Sequence, residues 1–205
     1  MAEAYFGRLL TAMVTPFNAD GSVNCEAAAD FAEWLLANGS DGLVVEGSTG
    51  EAATMFMDEK IAVLKAVVER VNGRAPVIVG AGTNCTASTL ELINAVEACG
   101  VDGLLVVGPY YNKPTQEGYY QHFAAVAKST NLPIIVYNVP GRTGSNIEPK
   151  TVARLAAEFP NIVAVKEAAG NVAQTAELFR VLPENVTIYS GDDGLVLPFM
   201  SVGAR

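Results

Sequence analysis

Lys166 closes a short apolar run, Ile162-Val163-Ala164-Val165, bounded by Pro160-Asn161 before it and Gly170 after it. A run of that length is too short for a buried helix and suits a parallel strand covered on both faces. A lysine at the end of such a strand has two readings. For an arbitrary lysine the better one is an ordinary ammonium reaching water. The other is an amine at the mouth of a barrel, desolvated enough to be neutral and to attack a carbonyl. Moving an ammonium from ~10.4 to ~7 takes about 5 kcal/mol of differential destabilisation, which burial alone can supply. The residues at the ends of the other strands decide between the two.

Four further stretches carry chemistry-bearing residues. In Gly47-Ser48-Thr49-Gly50-Glu51, two hydroxyls stand beside amides at a short helical start, which suits a small carboxylate; a tight glycine turn with capping hydroxyls fits equally well. Gly108-Pro109-Tyr110-Tyr111-Asn112-Lys113-Pro114 presents paired tyrosines, which could act at a site, pack at a subunit interface, or do both. In Tyr137-Asn138-Val139-Pro140-Gly141-Arg142-Thr143-Gly144, a phenol could relay a proton and a guanidinium could grip a carboxylate in bidentate fashion. The bland alternative is a solvated arginine in a turn. Asp192-Asp193 could be a metal pair, but His122 is the only histidine in the chain, so a histidine-ligated zinc site is excluded. Helix capping suits that dyad better, and His122 reads as a packing or helix-surface residue. Gly80-Ala81-Gly82 follows the third strand and lacks the third glycine of a dinucleotide turn. No metal, flavin or nicotinamide signature is found.

The elements that must position these residues alternate in texture. Strand-like runs begin near Leu9, Leu43, Val77, Leu104, Ile134, Ile162 and Val186. Between them lie segments of helical period. Asn24 to Asn38 carries Phe31, Trp34 and Leu35 on one face, and Asp58 to Val71 carries Ile61, Leu64, Val67 and Val68. A Ser88-x-x-Glu91 box opens the third helix, and Pro149 stands where another begins. Strand-helix alternation with short loops predicts a parallel sheet covered by helices.

An open doubly wound sheet concentrates its site at one switch point. Here polar or reactive residues follow nearly every strand: Thr15, Ser48-Thr49, Thr83-Asn84, Tyr110-Tyr111, Tyr137-Asn138, Lys166 and Ser190 to Asp193. A ring of this kind is what a (β/α)8 barrel shows on its catalytic face. The expectation is therefore an α/β chain forming a single TIM-barrel domain over residues 1–205. It is incomplete, with about seven βα units and without the eighth strand and C-terminal helices, as in a sequence truncated at its C-terminal end.

Thirteen basic and 22 acidic residues give a net charge of −9, which offers nucleic acid or an anionic membrane no attraction. Anionic substrates would need local basic groups. Cys25, Cys85 and Cys99 are odd in number and form no C-x-x-C, the pattern of reduced cytosolic thiols. With no secretory leader and no apolar run of spanning length, a cytoplasmic protein is expected.

Taken in order, Gly-Ser-Thr-Gly-Glu at 47–51, Pro-Tyr-Tyr-Asn-Lys-Pro at 109–114, Tyr-Asn-Val-Pro-Gly-Arg-Thr-Gly at 137–144, Val-Lys-Glu-Ala at 165–168 and Ser-Gly-Asp-Asp at 190–193 closely resemble the 4-hydroxy-tetrahydrodipicolinate synthase (dihydrodipicolinate synthase) family, over the whole chain. The resemblance implies a Schiff-base lyase of lysine and diaminopimelate biosynthesis, with pyruvate and L-aspartate 4-semialdehyde as substrates. It implies no cofactor beyond the covalent pyruvate Schiff base on Lys166, no metal, and a homotetramer in the full-length form. By the same resemblance Ser48, Tyr137 and Tyr111 form a hydroxyl proton relay, Tyr111 reaching the neighbouring subunit's site. Thr49 and adjacent amides hold the pyruvate carboxylate, Arg142 holds the semialdehyde carboxylate, and Gly191 belongs to the substrate-binding set. Ser48 stands where the family usually has threonine. Gly-Ser-Thr-Gly-Glu is also the form in N-acetylneuraminate lyases, an alternative that Arg-Thr-Gly and Pro-Tyr-Tyr-Asn disfavour; a non-catalytic fragment is a further alternative. Lysine-inhibited relatives use two histidines and a glutamate where this chain has Met57, Lys60 and Ser88, although Asn84 and Tyr110 remain. Weak or absent lysine inhibition is expected.

Overall fold

The computed structural model describes residues 4–205. Seven strands, β1 Leu10–Ala12, β2 Gly42–Val45, β3 Val77–Gly80, β4 Gly103–Val107, β5 Ile134–Asn138, β6 Ile162–Glu167 and β7 Thr187–Ser190, run in sheet order equal to chain order. All described pairings between them are parallel. Helices α1 Cys25–Ala37, α2 Met57–Val71, α3 Thr86–Glu97, α4 Gln116–Ser129, α5 Pro140–Thr143, α6 Pro149–Glu158, α7 Val172–Val181 and α8 Val196–Ser201 fall between or after the strands. Consecutive parallel strands with intervening helices are the layout of a (β/α) barrel. The described residues contain seven of its strands and no eighth. Each strand begins within a residue of its expected start, because buried parallel strands read as continuous apolar runs.

The chain divides into two compact units. One comprises residues 6–81 and 91–105. Its strands register as Thr11↔Leu43, Val44↔Ile78 and Val79↔Leu104. Asn24 caps α1, its side chain accepting from the Ala27 amide at 2.9 Å. The buried stripe of α1 is Ala28, Ala29, Ala32 and Leu35, whereas Trp34 is 58% exposed and stacks on Phe31. Of the expected face, Leu35 is buried, Phe31 half-buried and Trp34 exposed. The true one is a row of small residues at helical spacing, across which α1 packs on α2 and is tied to it by Arg70–Asp30 and Arg74–Glu33 pairs. On α2, likewise, Val63, Leu64, Val67 and Val71 are buried, while Ile61 and Val68 are only half-buried.

The other unit comprises residues 82–90 and 106–205 with Ala4 and Tyr5. Helix α3 begins at Thr86, so Ser88 and Glu91 lie inside it and do not cap it. The Thr83 hydroxyl, which accepts from the Cys85 amide at 3.1 Å, organises that start instead. Pro149 opens α6 as expected. No described helix is long and apolar enough to cross a membrane.

Candidate active site

The register of β5 on β6 sets up the site. Ile134 pairs with Ile162, but Ile135 pairs with Ala164, so β6 carries one extra residue at Val163. Beyond this bulge the pairs are Tyr137↔Lys166 and Asn138↔Glu167, and β6 pairs with β7 as Lys166↔Tyr189 and Glu167↔Ser190. Paired residues of parallel strands project to the same face, and successive residues to opposite faces. Tyr137, Lys166 and Tyr189 therefore share one face, with Asn138 and Glu167 on the other.

The Lys166 Nζ lies over the Tyr137 ring, 4.5 Å from its centroid. Burial pushes the Lys166 ammonium below the ordinary lysine range. Asp193 opposes this shift, and the Arg142 guanidinium adds to it. Loss of hydration thus outweighs the acidic neighbour, the condition for a nucleophilic amine.

Gly191 has a steric reason to be glycine. A Cβ there would stand 2.9 Å from Lys166 Cε and 2.8 Å from the Ala168 Cβ. Its amide donates to the Glu167 carbonyl at 2.7 Å. The lysine's aliphatic stem passes over the glycine backbone.

Arg142 is exposed on α5, a single turn opened by Pro140 and closed by Gly144, whose φ of +78° suits glycine. It takes part in none of the described ion pairs. Tyr111 has φ +74° and is 88% exposed. Its amide donates to the Thr143 carbonyl at 3.2 Å, which ties the tyrosine loop to the arginine turn. Asp192 caps the 3-10 turn Asp193–Leu195 by accepting from the Gly194 amide at 3.0 Å, as expected of the dyad. No cluster of three or more metal-ligating side chains occurs among the described residues. His122 is a buried packing residue. Its Nδ1 lies 2.9 Å from Thr86 Oγ1, its ring meets Phe123 edge-on, and burial lowers its pKa to about 4.

Ser48 and Thr49 belong to the other unit, in the loop after β2. Turn bonds from Gly50 to Gly47 at 3.1 Å and from Glu51 to Ser48 at 3.3 Å fold that loop, and only the 3-10 turn Ala52–Thr54 follows it. Both residues are exposed, and no described hydrogen bond uses their amides or hydroxyls. Gly80 of the discounted glycine cluster serves packing: a Cβ there would stand 2.0 Å from the Glu46 carbonyl oxygen.

Sequence reading missed two buried acids. Glu46 follows β2 with φ +57°, and neither of its carboxylate oxygens has a hydrogen-bond partner. Burial raises its pKa to about 8, with Lys60 opposing. Glu167, beside Lys166, accepts from Asn138, Gln174 and the Ala169 amide. A charged residue ending the run Leu43-Val44-Val45 and another following the lysine were the available signals.

The structure thus brings Lys166, Tyr137 and Gly191 into contact, places the charges of Arg142 and Asp193 where Lys166 feels them, and joins Tyr111 to the arginine turn. A family model described as "Dihydrodipicolinate synthetase family" matches residues 5–205. The 4-hydroxy-tetrahydrodipicolinate synthase of Desulforamulus reducens is 55% identical over 205 residues, all of this chain and 69% of the relative. That of Heliobacterium modesticaldum is 59% identical over 200 residues, 98% of this chain and 66% of the relative. The chain thus spans about two thirds of the length of these relatives. The crystal structure of the chloride-inhibited dihydrodipicolinate synthase from Acinetobacter baumannii complexed with pyruvate superposes with a TM-score of 0.93 at 43% identity, covering 97% of this chain and 68% of that one. On sequence and on structure alike, the chain belongs to the dihydrodipicolinate synthetase family.

Proposed function

We propose that this chain condenses pyruvate with L-aspartate 4-semialdehyde to give 4-hydroxy-tetrahydrodipicolinate, by way of a Schiff base on Lys166. The observation that carries this reading is the half-buried Lys166 amine, lowered in pKa by burial and lying over Tyr137 at the end of β6. The neutral amine adds to the C2 carbonyl of pyruvate, and loss of water leaves an imine. A proton leaves the methyl group, and the resulting enamine forms a carbon–carbon bond to the semialdehyde's aldehyde carbon. The substrate's own amino group then displaces Lys166 from the imine carbon, which closes the ring and regenerates the free amine.

Each step needs proton transfer near Nζ, and the Tyr137 phenol, buried beside that nitrogen, suits the relay. Arg142 suits the semialdehyde carboxylate, since none of the described ion pairs uses its guanidinium. Its charge also opposes protonation of Lys166. Gly191 leaves room for the lysine stem. From the family resemblance, Ser48 and Tyr111 complete the hydroxyl relay, and Thr49 with neighbouring amides takes the pyruvate carboxylate. The same resemblance supports a cytoplasmic homotetramer as the full-length form. In such an assembly the exposed Tyr111 would find a partner.

The test is pyruvate consumption with L-aspartate 4-semialdehyde or with N-acetylmannosamine, on the chain and on Lys166→Ala. Consumption with the semialdehyde alone, lost in the variant, is expected. Consumption with the sugar aldehyde instead would move the assignment to N-acetylneuraminate lyase. A folded protein consuming pyruvate with neither would mark a fragment that only binds.

A further inference from the structure

Directly behind the Tyr137–Lys166 pair, on the opposite face of the sheet, lies a satisfied polar cluster. Asn138 Nδ2 donates to both Glu167 oxygens at 3.1 Å and lies 2.9 Å from Asn146 Oδ1. Gln174 Nε2 donates to Glu167 Oε2 at 3.1 Å, and the Ala169 amide donates to Oε1 at 2.7 Å. Asn146 and Gln174 exchange bonds with each other at 2.8 and 3.1 Å. Asn138 Oδ1 accepts from the Ile147 amide at 3.0 Å. Asn138 and Glu167 are each 1% exposed.

Burying so many polar groups does not favour stability over an apolar filling of the same volume; its best-attested use is to specify one arrangement among several. The β5–β6 pair has an arrangement to specify. The strands pair one way at Ile134↔Ile162 and shift by a residue at Ile135↔Ala164. From the bulge onward the contacts are Ile135, Val136, Ala164 and Val165, apolar side chains that discriminate poorly between registers. A slip of one residue would turn Lys166 to the opposite face of the sheet. The first side-chain hydrogen bond across the two strands after the bulge is Asn138 to Glu167, one step beyond Tyr137 and Lys166.

We propose that Asn138 and Glu167 form a register clamp, with Asn146 and Gln174 as its braces, that holds the Lys166 amine over the Tyr137 ring; Glu167 is thus a positioning residue for the Schiff-base lysine. The inference deepens the proposed function and rests on it for its meaning, but its geometry can be tested separately. Every group facing the Glu167 carboxylate is a donor. An amide in its place would set N–H against N–H, which makes Glu167→Gln disruptive despite its near-identical shape.

The experiment follows the pH dependence of Lys166 reactivity. Trace acetylation with acetic anhydride, read out peptide by peptide, reports the pH at which Lys166 becomes half-reactive and needs no pyruvate. In Glu167→Gln that pH should rise by about one pH unit as the amine swings off the ring toward water, with the thermal midpoint recording that the variant is folded. Gln174→Ala removes a half-buried brace on α7 and should move the same profile in the same direction by a smaller amount. If Glu167→Gln does not fold, Gln174→Ala decides. Folded variants with the wild-type profile overturn the clamp. Borohydride trapping of pyruvate on the wild-type chain is run alongside. A shifted acetylation profile without trapping would strike the proposed function and leave the clamp standing. Trapping with an unshifted profile would do the reverse.

Discussion

Two glutamates at strand ends are almost fully removed from solvent, Glu46 after β2 at 2% exposure and Glu167 in β6 at 1%. Burial pushes both carboxyls upward. Around Glu167 the bonds donated by Asn138, Gln174 and nearby backbone amides pull back, whereas Glu46 has only the distant influence of Lys60. The difference separates two uses of a buried acid. A carboxylate met by donors on all sides fixes the strands that carry it. One met by none is kept protonated and makes stability depend on pH.

The largest effect expected from this contrast is at Glu46. Its carboxyl titrates at 4.5 when unfolded and at about 8 when folded. Between those values the folded state holds a proton that the unfolded chain has released, so stability falls as pH rises through that window. The linked loss is roughly 5 kcal/mol across the window. Urea unfolding from pH 5 to pH 9 should show this loss as the difference in slope between the wild type and Glu46→Gln, since the opposing rise from His122, lowered from 6.5 to about 4, is common to both. Equal slopes would mean that Glu46 finds solvent or a partner, and the contrast between the two acids would disappear.

Next in size is Glu167→Ala, which takes the acceptor from the Ala169 amide and leaves Asn138 and Gln174 with Asn146 Oδ1 alone to share. A cost of about 3 kcal/mol in denaturant unfolding at neutral pH is expected. A cost under about 1 kcal/mol would show that water replaces the carboxylate and that the network is loose. Gly191→Ala tests the lysine's side of the same strand. The added methyl meets Lys166 Cε and Ala168 Cβ inside contact distance, and should destabilise by about 2 kcal/mol and slow pyruvate trapping on Lys166. Wild-type trapping would show that the stem can move aside. The smallest effect sought is no effect. Millimolar lysine should leave both the thermal midpoint and the Glu46-dependent slope unchanged if, as the family resemblance implies, Met57 and Lys60 on α2 replace the lysine-binding residues of inhibited relatives. A ligand-induced rise in the midpoint would contradict this.

Much of this was legible in the sequence, for identifiable reasons. Strands β2 to β7 are short, mostly buried runs whose burial on both faces leaves a clear mark, and β1, half-buried throughout, also begins within a residue of its expected start. Pro149 and the Asp192 cap were readable because their chemistry is local. What failed depends on the partner element. The buried face of α1 is built from Ala28, Ala29 and Ala32, and large side chains such as Trp34 gave a false stripe. The start of α3 is set by Thr83 bonding across a turn, so the Ser88-x-x-Glu91 pattern matched inside the helix. Lys166, Tyr137 and Gly191 were each singled out in the sequence. Why Gly191 must lack a side chain, and that Asn138 and Glu167 face each other behind the lysine, depends on a register shifted by one bulged residue that no local pattern records.

The central claim is that the Lys166 amine, kept partly out of water over Tyr137, forms an imine with pyruvate. The most direct measurement is peptide-mapped mass spectrometry of the chain after incubation with pyruvate and borohydride. A reduced pyruvate adduct confined to the peptide carrying Lys166, and lost in Lys166→Ala, is the predicted result. An adduct spread over surface lysines, or none on the folded protein, would contradict it.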